Sequence, residues 1–425
     1  MKNSARYQTV IEIIDHILQN SSVPCDRLLA DYFRQRRFIG SHDRRFIVDD
    51  VYAILRYWPI LSYYQPHPNG RQAVLWYLHI TSPDSPASLK EIFTGERYGP
   101  LPLTSQEQLG LETVLPSQWP VWAQALTPEW LWPYCQDSFG DKAVPEMQAL
   151  NQPVGFDVRV NTLKTNRSAI LTKLAQGQLA AQPTPYSPLG IRFAQRQALQ
   201  NHELYKNGYL EVQDEGSQLI SLLTDARPGM RVLDMCAGAG GKTLALAAAM
   251  ENKGTLIATD VHEWRLKKAR ERLRKAGVNN VECRHLGDHW LKRQRGRFDR
   301  VLVDAPCSGT GTWRRNPDMK LRFQLSDLQE LLQKQLDILT TAAAMVKPGG
   351  RLVYATCSVL KAENQDQTEH FLKANPEFFL KDVEGIWADV FTSCCPTNDK
   401  TLQLTPARHQ TDGFFISIFE KKANL

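Results

Sequence analysis

Between residues 231 and 355 five short apolar runs alternate with stretches of helical periodicity: Arg231–Met235, Thr255–Thr259, Val281–His285, Asp299–Val303 and Arg351–Ala355. Strand, helix, strand at this spacing specifies a mostly parallel sheet, because parallel neighbours need a crossover long enough to hold a helix. A late apolar run stands at Phe414–Phe419. The residues at the carboxyl end of each run are more telling still. The chain leaves the five at or near Asp234-Met-Cys-Ala-Gly, Asp260, Asp288, Asp304-Ala-Pro-Cys307 and Thr356-Cys357-Ser. Ligands of open α/β sheets sit beyond the carboxyl ends of the strands, so polar groups at five successive ends converge on one crevice.

The first of these ends opens into Cys236-Ala237-Gly238-Ala239-Gly240-Gly241-Lys242-Thr243 and then an apolar helix over Leu244–Met250. Glycines here let the backbone approach a ligand and present free N–H groups at a helix start. A phosphate-binding loop would need Gly at 236, where Cys stands, and a dinucleotide loop would need Gly at 243, where Thr stands. The remaining pattern is the shorter G-x-G-G of S-adenosylmethionine enzymes. Asp260, nineteen residues after Gly241, is placed to accept from two ribose hydroxyls. Asp288 is placed to hold an adenine amino group.

Eight cysteines at 25, 135, 236, 283, 307, 357, 394 and 395 contain no C-x-x-C pair. Neither a disulfide framework nor a structural metal is expected, and the thiols should be reduced. Six of them read as packing or, for Cys236, as a small filler of the cofactor loop. Cys307 and Cys357 differ, since each sits in a polar turn on the substrate side of the sheet. Two thiols suit a demanding methylation, that of cytosine carbon 5. A thiolate adding to carbon 6 makes carbon 5 nucleophilic, and an acid on the N3/N4 edge, Asp304, absorbs the developing charge. Lys242 is a source of positive charge for ionising a thiol.

Upstream the chain changes character. Val10, Ile13, Ile14, Ile17 and Leu18 recur at helical spacing, and Phe46–Tyr57 repeats the pattern behind an N-cap at Ser41 or Asp43. Residues 154–163 alternate like a strand, with a helix over Asn166–Gln176. At 42% apolar and 23% charged residues, the chain can bury several cores, which excludes disorder, collagen and coiled coil. No run is long enough for a membrane span, and Glu12 and Asp15 interrupt any signal-peptide core. The expected location is the cytoplasm.

Charge points to a polyanionic partner. The net charge is 51 − 45 = +6, yet Trp264–Arg300 holds thirteen Lys and Arg against four acids, a concentration that suits nucleic acid. Arg34, Arg36, Arg37, Arg44 and Arg45 form a second patch. Arg314 and Arg315 are further expected phosphate contacts, and Trp313 is either a base-stacking residue or packing for its turn.

The motifs Asp234-Met-Cys-Ala-Gly-Ala-Gly-Gly-Lys-Thr, Asp304-Ala-Pro-Cys-Ser-Gly-Thr-Gly and Ala355-Thr-Cys-Ser resemble the NOL1/NOP2/Sun family of RNA cytosine-C5 methyltransferases. Val158-Arg-Val-Asn-Thr-Leu and Val212-Gln-Asp-Glu-Gly-Ser-Gln resemble its small preceding subdomain. Phe38-Ile-Gly-Ser-His-Asp-Arg-Arg-Phe-Ile47 and Val51-Tyr-Ala-Ile-Leu-Arg56 resemble the NusB-like domain of the bacterial 16S rRNA members. The resemblance implies an all-α NusB-like RNA-binding domain over 1–138, a small α+β subdomain over 139–210 and a class I Rossmann-like methyltransferase domain with a seven-stranded, mostly parallel sheet over 211–425. It further implies S-adenosyl-L-methionine as cofactor, small-subunit ribosomal RNA as partner, Cys357 as nucleophile and Cys307 as the residue assisting product release. Lys242, Asp260, Asp288 and Asp304 fall at matching positions. The family loop is more often Cys-Ala-Ala-Pro-Gly-Gly-Lys-Thr, so Gly238-Ala239 is a departure. Two rival readings stand beside this one: a DNA cytosine-C5 methyltransferase using Cys307 alone, and a non-catalytic RNA-binding assembly factor.

Overall fold

In a computed structural model the described residues are all except 82–85, 112–118, 153–154, 196, 287 and 424–425; for 86–88, 200 and 288–289 the backbone alone is described. Val154, the start of one expected strand, therefore lies outside them. The chain divides into two units. Met1–Gln152 and Trp313–Leu325 make the first, Pro153–Thr312 and Ser326–Leu425 the second.

Helices build the first unit, among them Asn3–Gln19, Cys25–Gln35, Ser41–Tyr64 and Gly70–Thr81. The apolar stripe read from the sequence faces inward: Val10, Ile13 and Ile14 meet Ile47, Val51 and Ile54, all at most 1% exposed. The third helix is longer than expected and runs through Pro59. Its N-cap is Gly40, not Ser41 or Asp43. Asp43 instead takes the N-terminal ammonium at 3.1 Å and Arg6 at 2.7 Å, which draws its carboxylate away from the capping position.

The segment 313–325 belongs to this helical unit. Asp318 accepts from the Cys25 backbone N–H at 3.1 Å, and Leu321 packs on the helical core. Lys320 donates to the carbonyls of Leu126 (2.9 Å) and Arg56 (3.2 Å) and to Asn151 Oδ1. Trp313 is fully buried, with the Lys320 ammonium 5.2 Å from its ring. It packs its own turn and cannot stack on a base. Arg314, 7% exposed, is likewise no surface phosphate contact.

Two sheets build the second unit. Strands β1 (Phe156–Val160), β2 (Gln182–Pro183), β3 (Gly190–Phe193) and β4 (Leu210–Val212) form an antiparallel sheet in the order β2-β3-β1-β4. The larger sheet uses β5 (Arg231–Asp234), β6 (Thr255–Asp260), β7 (Val281–His285), β8 (Phe298–Asp304), β9 (Val346–Thr356), β10 (Phe378–Leu380), β11 (Leu402–Leu404) and β12 (Phe414–Lys421). Its order is β10-β12-β9-β8-β5-β6-β7, with β9 to β7 parallel and β12 antiparallel to β9. These seven strands are joined by an eighth, β11, against β12, too short at three residues to show a period in the sequence. Val232, Leu256, Val301, Leu302 and Val353 are fully buried, which is why the central strands read as unbroken apolar runs.

Candidate active site

Because β8 and β9 are adjacent and parallel, with Asp304 opposite Ala355, their carboxyl ends release the chain side by side, about 5 Å apart. Cys307 and Cys357 lie just past those ends, and their sulfurs are 3.4 Å apart, within hydrogen-bond distance. The contact with Cys357 and burial both raise the Cys307 thiol well above its usual value, with Glu363 contributing. Cys307 is therefore held in its protonated form beside the second sulfur.

The serine after each cysteine explains why the turns meet. Ser308 Oγ stands 3.2 Å from Ser358 Oγ, and Thr310 Oγ1 is 3.1 Å from the same oxygen. The Val359 N–H donates to Thr310 Oγ1 at 3.0 Å. Asn364 fixes the second turn from below, accepting from Thr356 Oγ1 (2.6 Å) and donating to the Ser358 carbonyl (3.0 Å). Glu363 accepts from Ser308 through both N–H and hydroxyl. Sequence reasoning misses Ser308, Ser358, Glu363 and Asn364; the repeated Cys-Ser at two strand ends is the signal that points to the serines.

Lys242 leaves the helix Gly241–Ala249 and binds Asp304 at 2.6 Å. Burial alone would lower its ammonium, but the Asp304 carboxylate outweighs burial and holds it above the usual value. Cys357 also raises that ammonium electrostatically.

On the other side of Lys242 a cleft of about 680 Å³ is lined by Gly238, Gly241, Lys242, Asp260 and Asp304, a volume suited to a small cofactor. Asp234 closes its floor, with no exposure, accepting from Thr243 Oγ1 at 2.6 Å. Asp260 accepts from the N–H groups of Gly238 (2.9 Å) and His262 (2.8 Å). Its carboxylate thus also shapes the cofactor loop. Gly240 requires its glycine: φ is +80° and a Cβ would stand 3.0 Å from Ala269 Cβ. Ala239, by its carbonyl, accepts from Arg272 at 2.6 Å. Ala237 N–H donates to the Thr259 carbonyl at 2.9 Å, and burial pushes the Cys236 thiol far up, as a filler requires. Asp288 opens the short helix Asp288–Lys292 rather than ending β7, and its side chain lies outside the described residues.

These features fit S-adenosylmethionine. The Gly238–Gly241 backbone and the N-terminus of helix Gly241–Ala249 would hold the amino-acid end, Asp260 the ribose, and Val261, Leu286 and Ile338 supply apolar walls for a ring. The family model for the 16S rRNA methyltransferase RsmB/F matches residues 221–420, and that for the ferredoxin-like domain of RsmF/B-like methyltransferases matches residues 127–200. Ribosomal RNA small subunit methyltransferase B of Yersinia pseudotuberculosis is 35% identical over 300 residues, 70% of this chain and 67% of that protein. The chain belongs to the RsmB/F 16S rRNA methyltransferase family.

Its other relatives agree. The enzyme B of Photorhabdus laumondii is 34% identical, covering 70% of this chain and 67% of that one. The probable enzyme B of Bacillus subtilis is 32% identical, covering 69% and 66%. The matched region thus spans about two thirds of these relatives' length. Among solved structures, PH0851 aligns with a TM-score of 0.75 at 25% identity, covering 98% of this chain and 99% of that one. A methyltransferase homologue from Pyrococcus horikoshii gives 0.61 at 26% identity, covering 72% and 100%. The second unit of this RsmB/F chain accordingly carries the catalytic domain of an S-adenosylmethionine-dependent methyltransferase, with the Rossmann-like sheet expected from its sequence. Among the described residues no helix is long and apolar enough to cross a membrane.

Proposed function

We propose that the chain transfers a methyl group from S-adenosylmethionine to carbon 5 of a cytosine in RNA, with Cys357 as nucleophile. The observation that carries this is the pair of sulfurs 3.4 Å apart at two parallel strand ends, beside the Lys242–Asp304 pair. Bound in the cleft, S-adenosylmethionine supplies an electrophilic methyl group. Cys357 Sγ adds to carbon 6, which drives the C5=C6 electrons onto carbon 5, and carbon 5 takes the methyl while the pair of the broken C–S bond would stay on the cofactor sulfur, leaving S-adenosylhomocysteine. Asp304 hydrogen-bonds the N3/N4 edge, and Lys242 offsets the charge that gathers there. Loss of the carbon 5 proton to solvent water then restores the double bond, and the C6–S bond breaks with its electrons returning to Cys357. Cys307 assists that second half. The contact with Cys357 and burial hold the Cys307 thiol well above its usual value, which suits a residue that keeps its proton during the addition.

The relatives' names support small-subunit ribosomal RNA as substrate, and we place the protein in the cytoplasm with that RNA. A single-stranded cytosine is favoured, since the base must leave its stack to reach the turns. We assign RNA binding to the helical residues 1–138 and the basic face of 264–300, the α+β subdomain to 139–210 and methyl transfer to 211–425, with Asp288 on the adenine.

The test uses methyl-labelled cofactor and protein-free small-subunit RNA on a denaturing gel. Wild type should label RNA and not DNA, Cys357→Ala should label nothing, and Cys307→Ala should leave a slow-migrating protein–RNA adduct. Methylation by Cys357→Ala with an inert Cys307→Ala would reverse the roles. Label appearing in DNA instead would sink the RNA reading, and no transfer at all would leave a binding protein.

A further inference from the structure

Behind the two thiols lies a carboxylate to which the methyl-transfer chemistry assigns no part. Glu363 ends a single helical turn, Lys361–Glu363, six residues past Cys357, and is fully buried. No lysine or arginine pairs with it among the described residues. A buried carboxylate of this kind persists only where hydrogen bonds replace its water. Those bonds come from the turn that carries Cys307. Ser308 donates its N–H to Oε1 at 2.8 Å and its hydroxyl to Oε2 at 2.5 Å. Gln335 Nε2 donates to Oε1 at 3.0 Å and to the Pro306 carbonyl at 3.0 Å. The residues on both sides of Cys307 are thus held to one acid, and the Tyr354 hydroxyl, donating to the Glu363 carbonyl at 2.6 Å, fixes that acid to β9.

Cys357 meets that turn through the Ser308–Ser358 contact and through the Gly311 N–H on its own carbonyl (3.0 Å), but it also has an anchor that does not pass through Glu363. Its turn hangs on Asn364 through Thr356 and Ser358, and Lys242 and Asp304 make no use of Glu363. Removing the carboxylate would free the Pro-Cys-Ser turn from its own anchor while Asn364 still holds the turn of the nucleophile. We propose that Glu363 is the positioning residue for Cys307, governing release of the methylated base rather than methyl transfer. This rests on the assignment of the two cysteines above.

The measurement compares single-turnover methyl transfer, steady-state turnover and adduct formation in Glu363→Gln, Glu363→Ala, Cys307→Ala and wild type. Glu363→Ala should transfer its first methyl at the wild-type rate, lose turnover by roughly 10²-fold, the cost of a misplacement near 1 Å, and accumulate the adduct seen with Cys307→Ala. Glu363→Gln keeps an oxygen for Ser308 N–H and should show the same defect at smaller size. A merely structural role predicts the opposite split: first turnover and steady state fall together and no adduct builds up. That result, or unchanged turnover in Glu363→Gln, overturns the proposal, and Glu363→Gln decides where Glu363→Ala does not fold. Absence of adduct in Cys307→Ala itself would instead remove the cysteine assignment, and the proposal with it.

Discussion

At Asp234 the structure carries a stability consequence that its sequence position alone does not state. The carboxyl ends β5 without exposure and is pushed up to about 7, chiefly by burial, with the hydrogen bond from Thr243 opposing and the charge of Asp304 adding. An unfolded aspartate releases its proton near 3.9. Between these values the folded chain holds a proton that the unfolded chain has lost, so stability falls as pH rises through that window and levels off above it. At 1.36 kcal/mol per unit the effect is at most about 4 kcal/mol. Asp234→Asn keeps the acceptor for Thr243 and removes the titration, so its melting temperature should gain on wild type steadily from about pH 5 to about pH 7, where the gain levels off. A constant difference across that range would refute the assignment. At this scale much of the site was legible: Lys242, Asp260, Asp304, Cys307 and Cys357 stand in short motifs whose spacing to a strand end is local. Glu363 was not, because it joins Ser308 across 55 residues and belongs to no chemical motif. Nor was the burial of Trp313 and Arg314, which a run of Trp-Arg-Arg disguises as a nucleic-acid contact.

The basic helix Glu263–Ala276 separates what periodicity conveys from what a charge count conveys. Leu266, Ala269, Leu273 and Ala276 are its buried residues, as their spacing indicates. The thirteen cations between 264 and 300 are less uniform than their number suggests. Arg272 bonds the Ala239 carbonyl and Glu211, Lys275 also reaches Glu211, Arg270 pairs with Glu263 and Arg300 with Asp225. Lys267, Lys268 and Arg274 stay exposed, beside Trp264 at 57% exposure. In the proposed reading the exposed cations face RNA while Arg272 holds the cofactor loop. Lys267→Glu or Lys268→Glu should weaken RNA binding and lower the slope of log affinity against log salt by about 1 per lost phosphate contact, with cofactor affinity intact. Arg272→Ala should do the reverse, weakening S-adenosylmethionine binding by calorimetry while the salt slope holds. Interchanged outcomes would mean that the helix presents a different face to RNA.

For the molecule as a whole, the sequence conveyed the order of its parts but not that the chain visits the first one twice. Strand and helix periods report local faces, and residues 313–325 contain only one helical turn, Met319–Arg322, too little to betray where its side chains are buried. The consequence concerns folding. The first unit lacks Trp313, Asp318, Lys320 and Leu321 until residue 325 has been made; of these Leu321 packs on its core, Asp318 receives the Cys25 N–H and Lys320 satisfies the carbonyls of Arg56 and Leu126. Losing a buried tryptophan alone costs about 3–5 kcal/mol. Residues 1–152 expressed by themselves should therefore melt at lower temperature, or without cooperativity, and fusing 313–325 to that fragment should restore a sharp transition roughly 10 °C higher. In the intact chain, Trp313→Ala should lower the melting of the helical unit and leave cofactor affinity of the second unit unchanged. Equal melting of the fragment with and without 313–325 would show that the helices close their core unaided, and that the segment rests on a unit already complete.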